Sequence, residues 1–202
     1  KRDTLYVYDI AAGADLDRLV GALVSGQPPE DEWEARIQAD FSLIFKGFLK
    51  EYRTKTPLIA AVEGYCYAGG TEILQAFDIR IASTDAQIAI SEVQRGLFPM
   101  SASTIRLPRQ IPYTVAMEML LTGNPISGAR AAEVGLVGHA VHPHEVMPTA
   151  RELAMRIAAN GPLAVSKVKE SVLAAEGLAE HDAFAKEMEI GMTVMSSRDA
   201  RE

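Results

Sequence analysis

A single cysteine, Cys66, stands among the 202 residues, which rules out an intrachain disulfide and a metal held by paired thiolates. A reducing compartment is expected. Cys66 lies between two tyrosines just ahead of a glycine turn, and it reads as a small buried residue rather than a nucleophile. Cations are also scarce: 20 Lys and Arg against 27 Asp and Glu leave a net charge of −7, which argues against a nucleic-acid partner. No apolar run reaches membrane-spanning length and the first residues lack a signal-peptide profile, so the expectation is a soluble, cytoplasmic protein with no membrane partner. No G-x-G-x-x-G follows a strand, and a Rossmann dehydrogenase is discounted on that ground. The motif HAVHPH (residues 139–144) contains no carboxylate and lies in a proline-broken stretch, so a solvated loop is preferred to a metal site.

What is present centres on the stretch from Pro57 to Glu92. Leu58 to Val62 is a short apolar run, the pattern of a buried strand, and it ends at Glu63-Gly64. Ala68-Gly69-Gly70 then removes side chains at a turn, where a ligand can approach the backbone. Thr71 to Phe77 continues with helix-compatible residues, which would set free amides at a helix start. Asp78 to Ala82 reads as a further strand, followed by a short run, Gln87 to Ile90. Glu72 and Glu92 bracket this unit and can converge on one pocket. On spacing alone, a tight packing turn with two solvated glutamates is the preferred reading.

The residue pattern in full separates the two. AAVEGYCYAGGTEILQAFDIRIAS resembles the signature of the enoyl-CoA hydratase/isomerase (crotonase) family, and SEVQRGLFP resembles that family's second active-site segment. The resemblance implies an α/β crotonase-like spiral of repeated ββα units with a C-terminal helical trimerisation region. Residues 1–140 would form the core and residues 141–202 the helical part. It also implies a role in fatty acid metabolism (β-oxidation), with an acyl-CoA thioester as substrate, coenzyme A entering as part of it and no separate cofactor. A homotrimer or homohexamer is expected.

Residue by residue, the resemblance makes Glu72 and Glu92 the catalytic carboxylates, and Gly69 and Ala12 the amide donors of an oxyanion hole. Ala11, Gly13, Ala14, Asp15 and Leu16 would accompany Ala12 in a loop against the substrate, and Ala68, Gly70, Pro99 and Met100 would complete its contacts. Two departures stand out. The family loop follows two or more strands, a helix and an aromatic residue, whereas Ile10 precedes Ala11 here. A segment is therefore expected between these two residues in the intact protein, and an intact mass near 21.9 kDa would count against it. Where the family has a glycine-rich run, this chain has Met100-Ser101-Ala102-Ser103, whose side chains are expected to reshape the pocket floor.

The rest of the chain reads as support. TLYVYDI is a strand and Asp15 to Leu23 a helix. Asp31 to about Lys55 is expected to be one long amphipathic helix, with Trp33, Ile37, Phe41, Ile44, Phe45, Phe48 and Tyr52 in the core or lining an acyl pocket. Ser103 to Gln110, Tyr113 to Leu121, Gly128 to Val134, Val146 to Ala159, Pro162 to Ala175 and Leu178 to about Ser196 read as helices. Two carboxylates beside an oxyanion site suit addition of water to a trans-2-enoyl thioester, since a proton must leave water and another must reach the α carbon. The alternatives are an isomerase or hydrolase of the same family, or an acyl-CoA binding protein without turnover.

Overall fold

The computed structural model describes residues 6–9 and 28–197. Its centre is the run Leu58–Val62, a strand with all five residues buried. A strand covered on both faces has no use for polar alternation, which is why this one is continuously apolar. Strand β1 (Tyr6–Asp9) pairs with it in parallel. Between them in sequence come α1 (Glu32–Ala39) and α2 (Ser42–Gly47). After β2 (Leu58–Val62) the chain forms β3 (Tyr65–Tyr67), α3 (Gly69–Leu74), β4 (Ile79–Ser83) and β5 (Gln87–Ala89). A 3-10 turn, Glu92–Arg95, leads on to α4 (Ser103–Gln110), α5 (Tyr113–Thr122), β6 (Ile126–Ser127), α6 (Gly128–Glu133) and β7 (His139–Val141). Three helices follow: α7 (Val146–Ala158), α8 (Pro162–Ala174) and α9 (Glu180–Met195).

Two sheets result. The larger has the order β1-β2-β4-β7 with every neighbour parallel, and the smaller has the order β3-β5-β6. The chain visits them alternately, β2 then β3 and β4 then β5, so each crossing delivers a loop and helix to the same end. Leu58, Ala60 and Val62 face a core shared with Leu74, Leu107 and Met119. Ile59 and Ala61, pointing the other way, pack with Ile81 against Val146 and Ala150 of α7. Asp78 stands just ahead of β4: its carboxylate accepts from Leu58 N at 2.7 Å and from Lys169 Nζ at 2.7 Å, which ties α8 to the sheet.

The expected long helix from Asp31 to Lys55 is two short ones. Asp31 caps the first by accepting from Glu34 N, but Asp40 turns its carboxylate to Ser42 N at 3.0 Å and ends the helical ladder there. With the period interrupted, the aromatic stripe does not reach the core: Trp33 is 67% and Tyr52 59% exposed, and Phe41, Phe45 and Phe48 are half-buried. The helix expected over Asp15 to Leu23 lies outside the described residues. Two further readings are corrected: the HAVHPH stretch, expected to be a solvated loop, opens as strand β7, paired in parallel with β4, and Tyr65–Tyr67, not read as a strand, is β3, paired with β5. Most of the remaining strands and helices match the sequence reading to within a few residues. Among the described residues, no helix is long and apolar enough to cross a membrane.

Gly128 opens α6 where a side chain has no room. A Cβ there would run into the carbonyl oxygen of Ser83 and stand 3.3 Å from Ala82 Cβ, both parts of β4. Gly128→Ala should therefore destabilise the chain by about 1–3 kcal/mol, read as a lower urea midpoint at unchanged slope. An unmoved midpoint would mean the turn relaxes freely.

Candidate active site

The turn between β3 and α3 is strained. Ala68 sits at φ +51°, ψ −121°, a conformation disfavoured for any residue with a Cβ, and its amide is tied to Ala89 O at 2.9 Å. That kink starts α3 at Gly69 and buries both Gly69 and Gly70. The amides of the first turn, Gly69 among them, have no helical carbonyl to meet. A side chain at Gly69 would have to displace the Phe48 ring, whose Cε1 would lie 2.6 Å from a Cβ at this position.

Glu72, one turn into α3, is 4% exposed. Its Oε1 accepts two main-chain amides, from Ser101 at 2.8 Å and Ser103 at 3.2 Å. Burial raises the pKa of Glu72, and these two amides, which favour the ionised form, oppose the rise. For one turn to aim both amides at a single oxygen, Ala102 between them takes φ +95°. Ser103 Oγ accepts from Gln75 Nε2 at 2.8 Å, and Gln75 Nε2 also donates to Thr71 O, so the serine side chain is turned to α3.

Glu92 begins the 3-10 turn after β5. Its Oε2 is buried and has no hydrogen-bond partner among the described residues. Burial pushes its pKa up to about 7. The charge of Glu72 adds to the rise, and Glu92's own main-chain amide opposes it. The charge of Glu72 reaches Glu92, so the two carboxyls lie near one another. The structure thus brings Glu72 and Glu92 together, with Ala68, Gly69 and Gly70 at the head of α3. Pro99 is buried and Met100 half exposed in the turn that delivers the Ser101 amide. Ala11, Ala12, Gly13, Ala14, Asp15 and Leu16, and the junction after Ile10, lie outside the described residues.

The amides of Ser101 and Ser103 were not among the expected site groups. The sequence reading took this run as side chains narrowing a pocket, and backbone donors have no residue signature that would have shown otherwise. Cys66 is fully buried and its thiol is pushed up to about 12 by burial, which keeps it protonated and unreactive. A cavity of about 620 Å³ is lined in part by Arg53, Arg80, Arg106 and Lys169, but neither Glu72 nor Glu92 borders it. These four cations are already engaged: Lys169 with Asp78, Arg53 with Glu176, Arg80 with Phe77 O and Leu136 O, and Arg106 with Leu49 O and Lys50 O.

Parallel strands feeding a strained turn, with buried Glu72 and half-buried Glu92 near it, are features of an enzyme of the crotonase type. The enoyl-CoA hydratase/isomerase family model matches residues 11–202. Enoyl-CoA hydratase EchA19 of Mycobacterium tuberculosis is 50% identical over 197 residues, covering 95% of this chain and 69% of that protein. Carnitinyl-CoA dehydratase of Proteus mirabilis is 36% identical over 196 residues, covering 95% and 70%. Among solved structures, an enoyl-CoA hydratase from Bacillus anthracis superposes with a TM-score of 0.80 at 33% identity, covering 95% of this chain and 70% of that one. One from Mycobacterium tuberculosis H37Rv superposes at 0.73 and 43% identity, covering 76% and 61%. This chain spans about two thirds of the length of such relatives and belongs to the enoyl-CoA hydratase/isomerase family, whose α/β crotonase fold it shares.

The raised pKa of Glu92 has a consequence for stability that does not depend on turnover. A carboxyl whose folded-state pKa lies above its unfolded value favours folding at low pH, and the benefit is lost as pH rises from about 4.5 through 7. Glu92→Gln removes that loss. The difference in Tm, variant minus parent, should become more positive from pH 5 to pH 8. A difference independent of pH would show that Glu92 titrates normally.

Proposed function

We propose that this protein is an enoyl-CoA hydratase, adding water across the double bond of a trans-2-enoyl-CoA thioester. The observation that supports this reading most directly is the unequal treatment of two neighbouring carboxyls, one buried and one half-buried. Glu72 has two amides on one oxygen, which favours its ionised form. Glu92 has a buried oxygen without a partner and keeps its proton up to about pH 7. One group is then set to accept a proton and the other to give one.

In the proposed scheme Glu72 takes a proton from water as the water oxygen bonds to the β carbon. The double-bond electrons move toward the thioester carbonyl, and Glu92 delivers its proton to the α carbon as the enolate collapses. Water is added in sum, and the proton on Glu72 returns to Glu92 before the next cycle. The developing oxyanion is assigned to the amides of Gly69 and Ala12, a pair in which each donor is worth ~3 kcal/mol of transition-state stabilisation. Ala68, Gly70, Pro99 and Met100, with the loop of Ala11, Gly13, Ala14, Asp15 and Leu16, are assigned to substrate contact. Coenzyme A enters as part of the substrate, and no separate cofactor takes part.

A homotrimer or homohexamer belongs to the same proposal. Val168 and Val172 of α8 and Met188, Met192 and Met195 of α9 are each more than half exposed and line one apolar groove of about 470 Å³. An exposed apolar face of this kind suits burial against further copies of the chain.

Given a short trans-2-enoyl-CoA, the protein should remove the conjugated absorbance of the substrate. Glu72→Gln and Glu92→Gln should each lower kcat by about 10²–10⁴-fold, and either variant at full activity would take that residue out of the scheme. The pH profile of kcat/KM should fall as pH rises through about 7, where Glu92 loses its proton. Acyl-CoA binding without turnover would favour a binding protein instead.

A further inference from the structure

We infer that Phe48 is a positioning residue for the first turn of α3 and that Arg106 holds it there, an inference that rests on the hydratase reading above. Phe48 follows α2, and its ring edge occupies the place of the missing Gly69 side chain, Cε1 and Cζ lying 2.6 and 2.7 Å from where a Cβ would stand. The ring therefore rests directly on the glycine whose amide is assigned to the oxyanion.

Two features keep it in place. Leu49 takes φ +53°, which swings the chain away immediately after Phe48. Arg106 then reaches across from α4 and donates Nη2 to both Leu49 O and Lys50 O, each at 2.8 Å. Arg106 is 7% exposed and its Nη1 has no partner among the described residues. Burying an incompletely bonded guanidinium is a poor way to stabilise a loop, since an apolar residue of the same size commonly does so at lower cost. Its position has a different logic. The stretch from Ser101 to Arg106 grips Glu72 at one end and the Phe48 segment at the other, so a single element sets both the carboxylate and the ring. With water kept off one side of the turn, a negative charge forming at the Gly69 amide is less screened.

Phe48→Leu keeps apolar volume but loses the flat ring. Arg106→Lys keeps the charge, but its shorter side chain falls short of the two carbonyls. In the full chain, kcat and KM for enoyl-CoA hydration, Tm, and amide hydrogen exchange over residues 42–52 and 66–74 would be measured for both. Each variant should lower kcat about tenfold with KM within twofold, and exchange at the start of α3 should quicken. Phe48→Leu should leave Tm nearly unchanged, and it carries the test if Arg106→Lys does not fold. A kcat within twofold of the parent in Phe48→Leu, or unaltered exchange at the start of α3, would overturn the inference. A parent chain without hydration activity would instead sink the hydratase reading, and exchange would still decide whether Phe48 guards the turn.

Discussion

Glu72 is buried one turn into a helix of only six residues, and what meets it there is a pair of main-chain amides from a distant turn. An ionised carboxylate with no such partners would take up a proton, because desolvation penalises the charged form by far more than a short helix can return. Much of the local architecture follows from supplying those amides. Ala102 must adopt a left-handed backbone so that Ser101 N and Ser103 N converge, α4 must begin immediately afterwards, and Gln75 must bridge from α3 to Ser103 to hold the turn down.

The sheet makes this arrangement available. Because β2 and β4 are parallel neighbours and each is followed by a strand of the second sheet, the chain leaves β3 and β5 in the same direction. Glu72 comes from the segment after β3 and Glu92 from the segment after β5, so the pairing of those two strands is what sets one carboxyl near the other. The parallel register, Tyr65 with Gln87 and Tyr67 with Ala89, then fixes their offset. Fold and chemistry meet at Ala68, where the amide completes the β3–β5 ladder through Ala89 O and the strained backbone starts α3.

How far this could be read from the sequence differs with the kind of signal. Leu58 to Val62 was legible because full burial leaves an unbroken apolar run, and the order of residues from Ala60 through Glu92 was legible as a family pattern. The two helices before β2 were not. Hydrophobic spacing continued smoothly past Asp40, and nothing in that spacing registers a carboxylate that prefers Ser42 N to the solvent. The amides holding Glu72 escaped for a different reason. Ser101, Ala102 and Ser103 contribute their backbones to the carboxylate, and a backbone donor looks the same whichever residue supplies it.

That last point changes what the departure from a glycine-rich run means. Side chains at 101 and 103 were expected to crowd the site, yet Ser103 points its hydroxyl at Gln75 and both amides remain directed at Glu72. The cost falls on Ala102, whose left-handed backbone is unfavourable by about 1–2 kcal/mol relative to the right-handed form. Strain of that size persists only where the surroundings fix the residue from both sides. Here Glu72 Oε1 fixes it, bonded to the residue before and the residue after. The side chains of this run therefore leave the paired amides on Glu72 intact, and the proposed scheme rests on the difference in hydrogen bonding between Glu72 and Glu92 rather than on the glycine content of the turn.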